Sequence, residues 1–116
     1  MANYQDILRR LTIGDEALSR SILALGPEGC DGAHLDPKVY ELVRLGALIA
    51  LDADAASYQP VTAAALAVGA RPEEIVGTLA AVAPMAGLAR TFAAAPRLAG
   101  AIGYNVDEAL ETLDDG

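Results

Sequence analysis

A chain of 116 residues, 53% hydrophobic with a mean hydropathy of +0.32, has room for one modest core. Its formal charge of −8 and sequence pI of about 4.4 exclude nucleic acid and anionic lipid as ready partners, because such a surface repels phosphate. The longest uncharged apolar run, Ile75 to Ala89, is too short to span a bilayer and is interrupted by Pro84, and MANYQDILRR lacks an apolar signal core, so no membrane is expected and the cytoplasm is the expected location.

Helical signals run from end to end, and no segment alternates with period two. Tyr4 to Leu11 predicts a first short helix. Gly14–Asp15 starts a second, in which Leu18, Ile22 and Leu25 recur at helical spacing until Gly26 and Pro27 stop it. Gly26 to Leu35, GPEGCDGAHL, holds three glycines and a proline and reads as a surface loop. Its Cys30 is the single cysteine, which rules out an internal disulfide or a CxxC redox pair. With no basic residue nearby to favour the thiolate, Cys30 reads as a tolerated loop cysteine, and a lone reactive thiol is the alternative. A general-base role for His34, four residues on, depends on a positioned partner that the sequence alone does not name. One His, one Cys and scattered acids supply no transition-metal ligand set, so neither a metal nor another cofactor is expected.

Asp36–Pro37 marks a helix start, with Asp36 as N-cap and Pro37 at the first helical position. The helix carries Val39, Leu42, Val43, Leu45, Leu48 and Ile49, an apolar stripe broad enough to be core, and should end near Leu51. Glu41 and Arg44 stand three apart on it, spaced to pair across one turn. The polar stretch DADAASYQPVTAAAL follows, where Asp52 is expected to end the connection. Ser57 is predicted as the N-cap of the next helix, because Pro60 then falls at the third helical position, where no intrahelical N–H is lost. A start at Asp54 puts Pro60 in the interior. Gly69 closes this helix, and Arg71–Pro72–Glu73–Glu74 opens the next, with acids where the helix dipole favours them.

Pro84 is expected to break or kink that helix, Pro96 to begin another short one, and Asn105 to cap VDEALETL. The expected fold is therefore all-α, a small bundle of about six to seven helices forming a single domain over residues 1–116. So much apolar content in so short a chain implies that part of its surface is buried between copies, making an oligomer the expected state.

The segment KVYELVRLGALIALDADAASYQPVTAAALAVGARPEEIVGTLAAVAPMAGLARTFAA, Lys38 to Ala94, combines an E-L-V-x-L helix, an AALxxGA element, an R-P-E-E-I helix start and an A-G pair. In order and spacing these elements resemble the carboxymuconolactone decarboxylase and alkylhydroperoxidase D-type superfamily, over about half the chain. The resemblance implies an alkylhydroperoxidase D-like helical fold assembled as a homotrimer or homohexamer, with sites near the helix pair and the subunit contacts. It also implies, in peroxidase members, CxxCxxxH before AALxxGA and an upstream glutamate; decarboxylase members lack the cysteines and usually keep the histidine. Counted back from Gly69, the cysteine positions fall on Asp54 and Ser57 and the histidine position on Val61, while the glutamate corresponds to Glu41. Counted forward from Glu41, the three fall on Ala53, Ala56 and Pro60. Neither register supplies a thiol or an imidazole, which decides against a dithiol peroxidase.

Asp54, at a helix start, is a weak base if the dipole keeps it ionised and an acid if burial raises its pKa. Tyr58 could donate to a developing oxyanion, with Glu41 and Ser57 as further catalytic candidates. Arg44 or Arg90 could clamp a substrate carboxylate. Such a set suits a small anionic molecule, a carboxylated lactone or keto acid, that loses carbon dioxide through an enolate. The plainer alternative makes Asp54 and Ser57 caps, packs the Tyr58 ring, pairs Glu41 with Arg44 and leaves Arg90 solvated or at an interface. Two further functions stay open: an antioxidant protein relying on Cys30 alone, and a non-catalytic oligomer that binds a small ligand or a partner protein.

Overall fold

Residues 3–115 are described by the computed structural model, and eight helices with no strand account for most of them. They are α1 (Tyr4–Thr12), α2 (Glu16–Leu23), α3 (Cys30–Ala33), α4 (Pro37–Ala50), α5 (Ala55–Ala67), α6 (Pro72–Ala86), α7 (Leu88–Ile102) and α8 (Val106–Asp115). Local chemistry sets most of the starts. Asn3, Asp15, Asp36, Asp54 and Asn105 each turn a side-chain oxygen onto a first-turn N–H, those of Asp6, Leu18, Lys38, Ser57 and Glu108. Glu74 reaches back 3.0 Å to the N–H of Arg71 at the start of α6 and also takes Lys38 Nζ of α4 at 2.9 Å.

The packed body is α4 to α7. Leu45 and Ile49 of α4, Tyr58, Val61 and Ala65 of α5, Ile75 of α6, and Ala94 and Leu98 of α7 form one buried cluster. α4 packs along α5 and α6, α7 closes over α5 and α6, α1 pairs with α2, and α3 leans on α4. Gly46 allows the close approach of α4 to α6: a Cβ there would stand 3.3 Å from Val82 Cγ2 and 3.7 Å from Thr78 Cγ2.

Pro37 and Pro72 stand at the first helical position as expected, whereas Pro60, Pro84 and Pro96 lie inside helices. Asp54, not Ser57, caps α5, because its Oδ1 accepts both the Ser57 N–H at 3.0 Å and the Ser57 hydroxyl at 2.8 Å, which starts the helix earlier and leaves Pro60 in its interior. Pro84 lies within α6, and the break comes at Gly87, whose φ of +92° is left-handed. Pro96 starts nothing, since α7 runs unbroken from Leu88 to Ile102. A common cause makes these prolines tolerable. Each is exposed, and so is the residue four before it (Ala56, Ala80 and Phe92), so the carbonyl that loses its helical donor can be hydrated. The predicted loop at Gly26–Leu35 also holds one helical turn, α3, and the described residues form eight helices rather than six to seven.

The molecule spans 59 × 28 × 21 Å with a radius of gyration of 16.9 Å, against about 13 Å for a compact chain of this length. Its accessible surface is 7600 Å², where a monomer of this mass exposes about 6,000 Å². Leu8, Ile13, Met85, Leu88 and Phe92 are among the large apolar side chains left exposed. No helix among the described residues is long and apolar enough to cross a membrane.

Candidate functional site

α4 and α5, joined by a four-residue connection and packed side by side, carry nearly all the polar residues singled out in the sequence. On the first half of α4, Glu41 is buried, its side chain 1% exposed, and Oε2 accepts a hydrogen bond from Arg44 Nη1 at 3.1 Å. The guanidinium also lies over the Tyr40 ring, 5.5 Å from its centroid, and the Tyr40 hydroxyl donates to the Gly26 carbonyl at 2.7 Å. Arg44 is thus gripped from two sides while its side chain stays 30% exposed. Removing a carboxylate from water costs several kcal/mol unless a partner offsets it, so this pair is the chief electrostatic commitment of α4.

The other candidates gather at the far end of α4. Asp54 is exposed and caps α5, and its carboxyl is held below the ordinary range, first by the Ser57 hydroxyl, then by the Ser57 N–H, with the Arg97 charge contributing. It is ionised near neutrality and a weak base. The Ser57 hydroxyl is committed to Asp54. Tyr58 has no solvent exposure, and its hydroxyl has no hydrogen-bond partner, a condition shared by the buried Thr62 hydroxyl one turn further on. Burial pushes the Tyr58 phenol up, while Arg97 pulls it down and Asp52 pushes it up. Arg90 donates 2.7 Å to the Ala50 carbonyl, covering the end of α4.

No hydrogen bond or ion pair among the described residues joins Glu41 or Arg44 to Asp54, Ser57 or Tyr58. Nine residues separate Glu41 from Ala50, which is about 13 Å along a helix axis. The sequence reading missed Arg97, which belongs to the second group. Its Nη1 donates to Asp52 Oδ1 and to the Ala53 carbonyl, both at 2.9 Å. Arg90 and Arg97 are seven apart, two turns along one face of α7, a signal hidden by expecting a new helix at Pro96.

Elsewhere, a hollow of about 390 Å³ between α6, α7 and the turn into α8 is walled almost wholly by apolar atoms of Val76, Leu79, Leu98, Ala99, Ile102 and Tyr104. Another of about 220 Å³ lies among α1, α2 and α3, with Leu18, Ile22 and His34 in its wall. Neither is lined by Glu41, Asp54 or Tyr58. Cys30 is partly buried on α3, and His34 ends that helix in a left-handed conformation. Among the described residues, no group of three or more His, Cys, Asp or Glu side chains could hold a metal ion.

In comparison with known families, the family model described as Carboxymuconolactone decarboxylase family matches residues 19–99, from α2 into α7. No curated protein and no solved structure matches the chain.

Proposed function

Because the chain belongs to the carboxymuconolactone decarboxylase family, we propose that it is a thiol-independent lyase that decarboxylates a small carboxylated lactone or keto acid. The observation that carries this reading is the Glu41–Arg44 pair: a buried carboxylate fixing a partly exposed guanidinium on a helix within the matched segment. Arg44 is the group that meets substrate, and Glu41, with the Tyr40 ring, is the positioning partner that sets its orientation. When the bond to the carboxyl carbon breaks, carbon dioxide leaves and the electron pair moves into the adjacent carbonyl. The guanidinium stabilises the resulting enolate oxygen, and a proton from solvent completes the product at carbon. Asp54 and Ser57 stay with the α5 cap in this reading, and Arg90 with the end of α4.

The reading includes a homotrimer or homohexamer in the cytoplasm. Val39 and Val43 are exposed on α4 one turn apart, the second beside Arg44, so a neighbouring copy seated there covers apolar surface and screens the guanidinium from water. The direct test is incubation of the purified protein with a panel of small carboxylated lactones and β-keto acids, followed by carbon dioxide release. Turnover of at least one, lost in Arg44→Gln, is expected; a folded protein that turns over none of them contradicts the reading.

A second reading, a non-catalytic oligomer that binds a small apolar ligand, is favoured by the hollow between α6 and α7. Val76→Glu abolishes ligand binding in that case and leaves decarboxylation untouched in the first.

A further inference from the structure

α7 ends at Gly103, whose φ of +92° is left-handed and whose N–H, like that of Tyr104, returns to the Ala99 carbonyl, at 3.0 and 2.9 Å. Asn105 then caps α8, its Oδ1 accepting the Glu108 N–H at 3.0 Å. Two hollows meet at this turn. The apolar one of about 390 Å³ between α6 and α7 and a second of about 300 Å³ have Tyr104 and Val106 as common wall. The second is more polar and is lined also by Asn105 and Asp107.

Of the residues that line the two hollows, Asp107 alone is charged. It is exposed, and its carboxylate has no hydrogen-bond or ion-pair partner among the described residues. Arg97, which precedes Leu98 of the wall, is committed to Asp52 Oδ1 and the Ala53 carbonyl, both at 2.9 Å. A helix start by itself favours an anion, with about half a positive charge. The first turn of α8 already holds Asp107 and Glu108, whose two negative charges outweigh it. The mouth of the site is therefore negative, on a chain of formal charge −8. Tyr104, mostly exposed, stands at the border of the apolar and the acidic hollow. An aromatic ring beside a carboxylate suits an ammonium group, which is attracted by both.

We propose that the joined hollows bind a small amphiphilic cation, an alkylammonium or arylalkylammonium ion, with its apolar body against Leu79, Leu98 and Ile102 and its ammonium group at Tyr104 and Asp107. Burial of the methylenes supplies most of the affinity, and the ring with the carboxylate selects the head group. An alcohol of the same length gains neither attraction, and a carboxylic acid is repelled by Asp107. The inference rests on the reading of the apolar hollow as a ligand site and narrows its ligand; the chemistry at Arg44 does not enter.

The test is calorimetric titration of the full chain at neutral pH and low salt with hexylammonium, hexan-1-ol and hexanoate. Hexylammonium is expected to bind about tenfold tighter than hexanol, and hexanoate more weakly than either. Asp107→Asn is expected to cut that preference to about threefold and to leave hexanol binding unchanged. Ala95→Phe fills the apolar hollow from an exposed position in its wall, where the fold tolerates it, and is expected to abolish binding of all three. Hexanol bound as tightly as hexylammonium keeps the hollow as a ligand site and overturns the cation assignment. Hexylammonium binding that survives Ala95→Phe, or that is unchanged in Asp107→Asn, overturns it as well. Binding of none of the three, as when a second copy fills the hollow, overturns both the assignment and the ligand-binding reading.

Discussion

Glu41 and Arg44 stand one turn apart on α4, joined at 3.1 Å, yet the carboxylate is buried and the guanidinium reaches solvent. The two halves are therefore unequal. Losing Arg44 leaves a buried negative charge without its partner, while losing both removes charge and penalty together. Arg44→Met is expected to lower unfolding free energy by about 3 kcal/mol, and the double variant Glu41→Leu/Arg44→Met by clearly less. Urea unfolding of the two single variants and the double measures the coupling, and additive losses contradict it.

Tyr58 offers an opposite case, because its hydroxyl is buried and meets no partner. Folding strips water from that hydroxyl and returns nothing. Tyr58→Phe keeps the ring in the cluster with Ile49 and Leu98 and is expected to stabilise the fold by about 1 kcal/mol. A lower melting temperature for the variant identifies a partner that the bare chain does not supply.

Acid sensitivity should come from the helix starts. Glu74 is lowered from 4.5 to about 2, chiefly by the Arg71 N–H and then by Lys38, and Asp54 is lowered below 3.8 by Ser57. Both folded values lie below the unfolded ones, so the stability these carboxylates contribute is complete above the unfolded values. It drains away as pH falls through the folded ones. Thermal melts should therefore decline from about pH 4.5 toward pH 2, and Glu74→Gln should melt a few degrees lower at pH 7 with a shallower decline below pH 4.5. An unchanged slope in that variant points to other carboxylates.

The extended shape and the apolar side chains around the Gly87 corner support self-association. Met85, Leu88 and Phe92 are all mostly exposed there, an arrangement costly in water for a chain already rich in apolar surface. Light scattering after size-exclusion chromatography should give a multiple of 11.9 kDa, and Phe92→Glu should move the mass toward the monomer. A monomeric wild type refutes the assembly.

Those parts of the fold that depend on neighbours two to four residues away were legible in the sequence. The Asp36 cap with Pro37 behind it, the Asn105 cap and the Glu41–Arg44 pair all follow from local spacing. Pro60, Pro84 and Pro96 were misread because their cost depends on whether a freed carbonyl faces water, which depends on the packing of the whole bundle. Asp52 and Arg97 are 45 residues apart, so nothing local joins them. Tyr58 reads as a tyrosine in a polar stretch, and it is buried by the packing of α5 among α4 and α7, which no local pattern shows.

The central claim is that the guanidinium of Arg44, held by Glu41, stabilises the charge that develops as carbon dioxide leaves. Chemical rescue tests it most directly. Carbon dioxide release from the best substrate is followed for wild type, Glu41→Gln and Arg44→Ala, the last with and without millimolar ethylguanidinium. The account predicts a fall in kcat of about 100-fold in Arg44→Ala, partial recovery with ethylguanidinium, and a smaller loss in Glu41→Gln carried by kcat rather than KM. Full activity in Arg44→Ala contradicts the account.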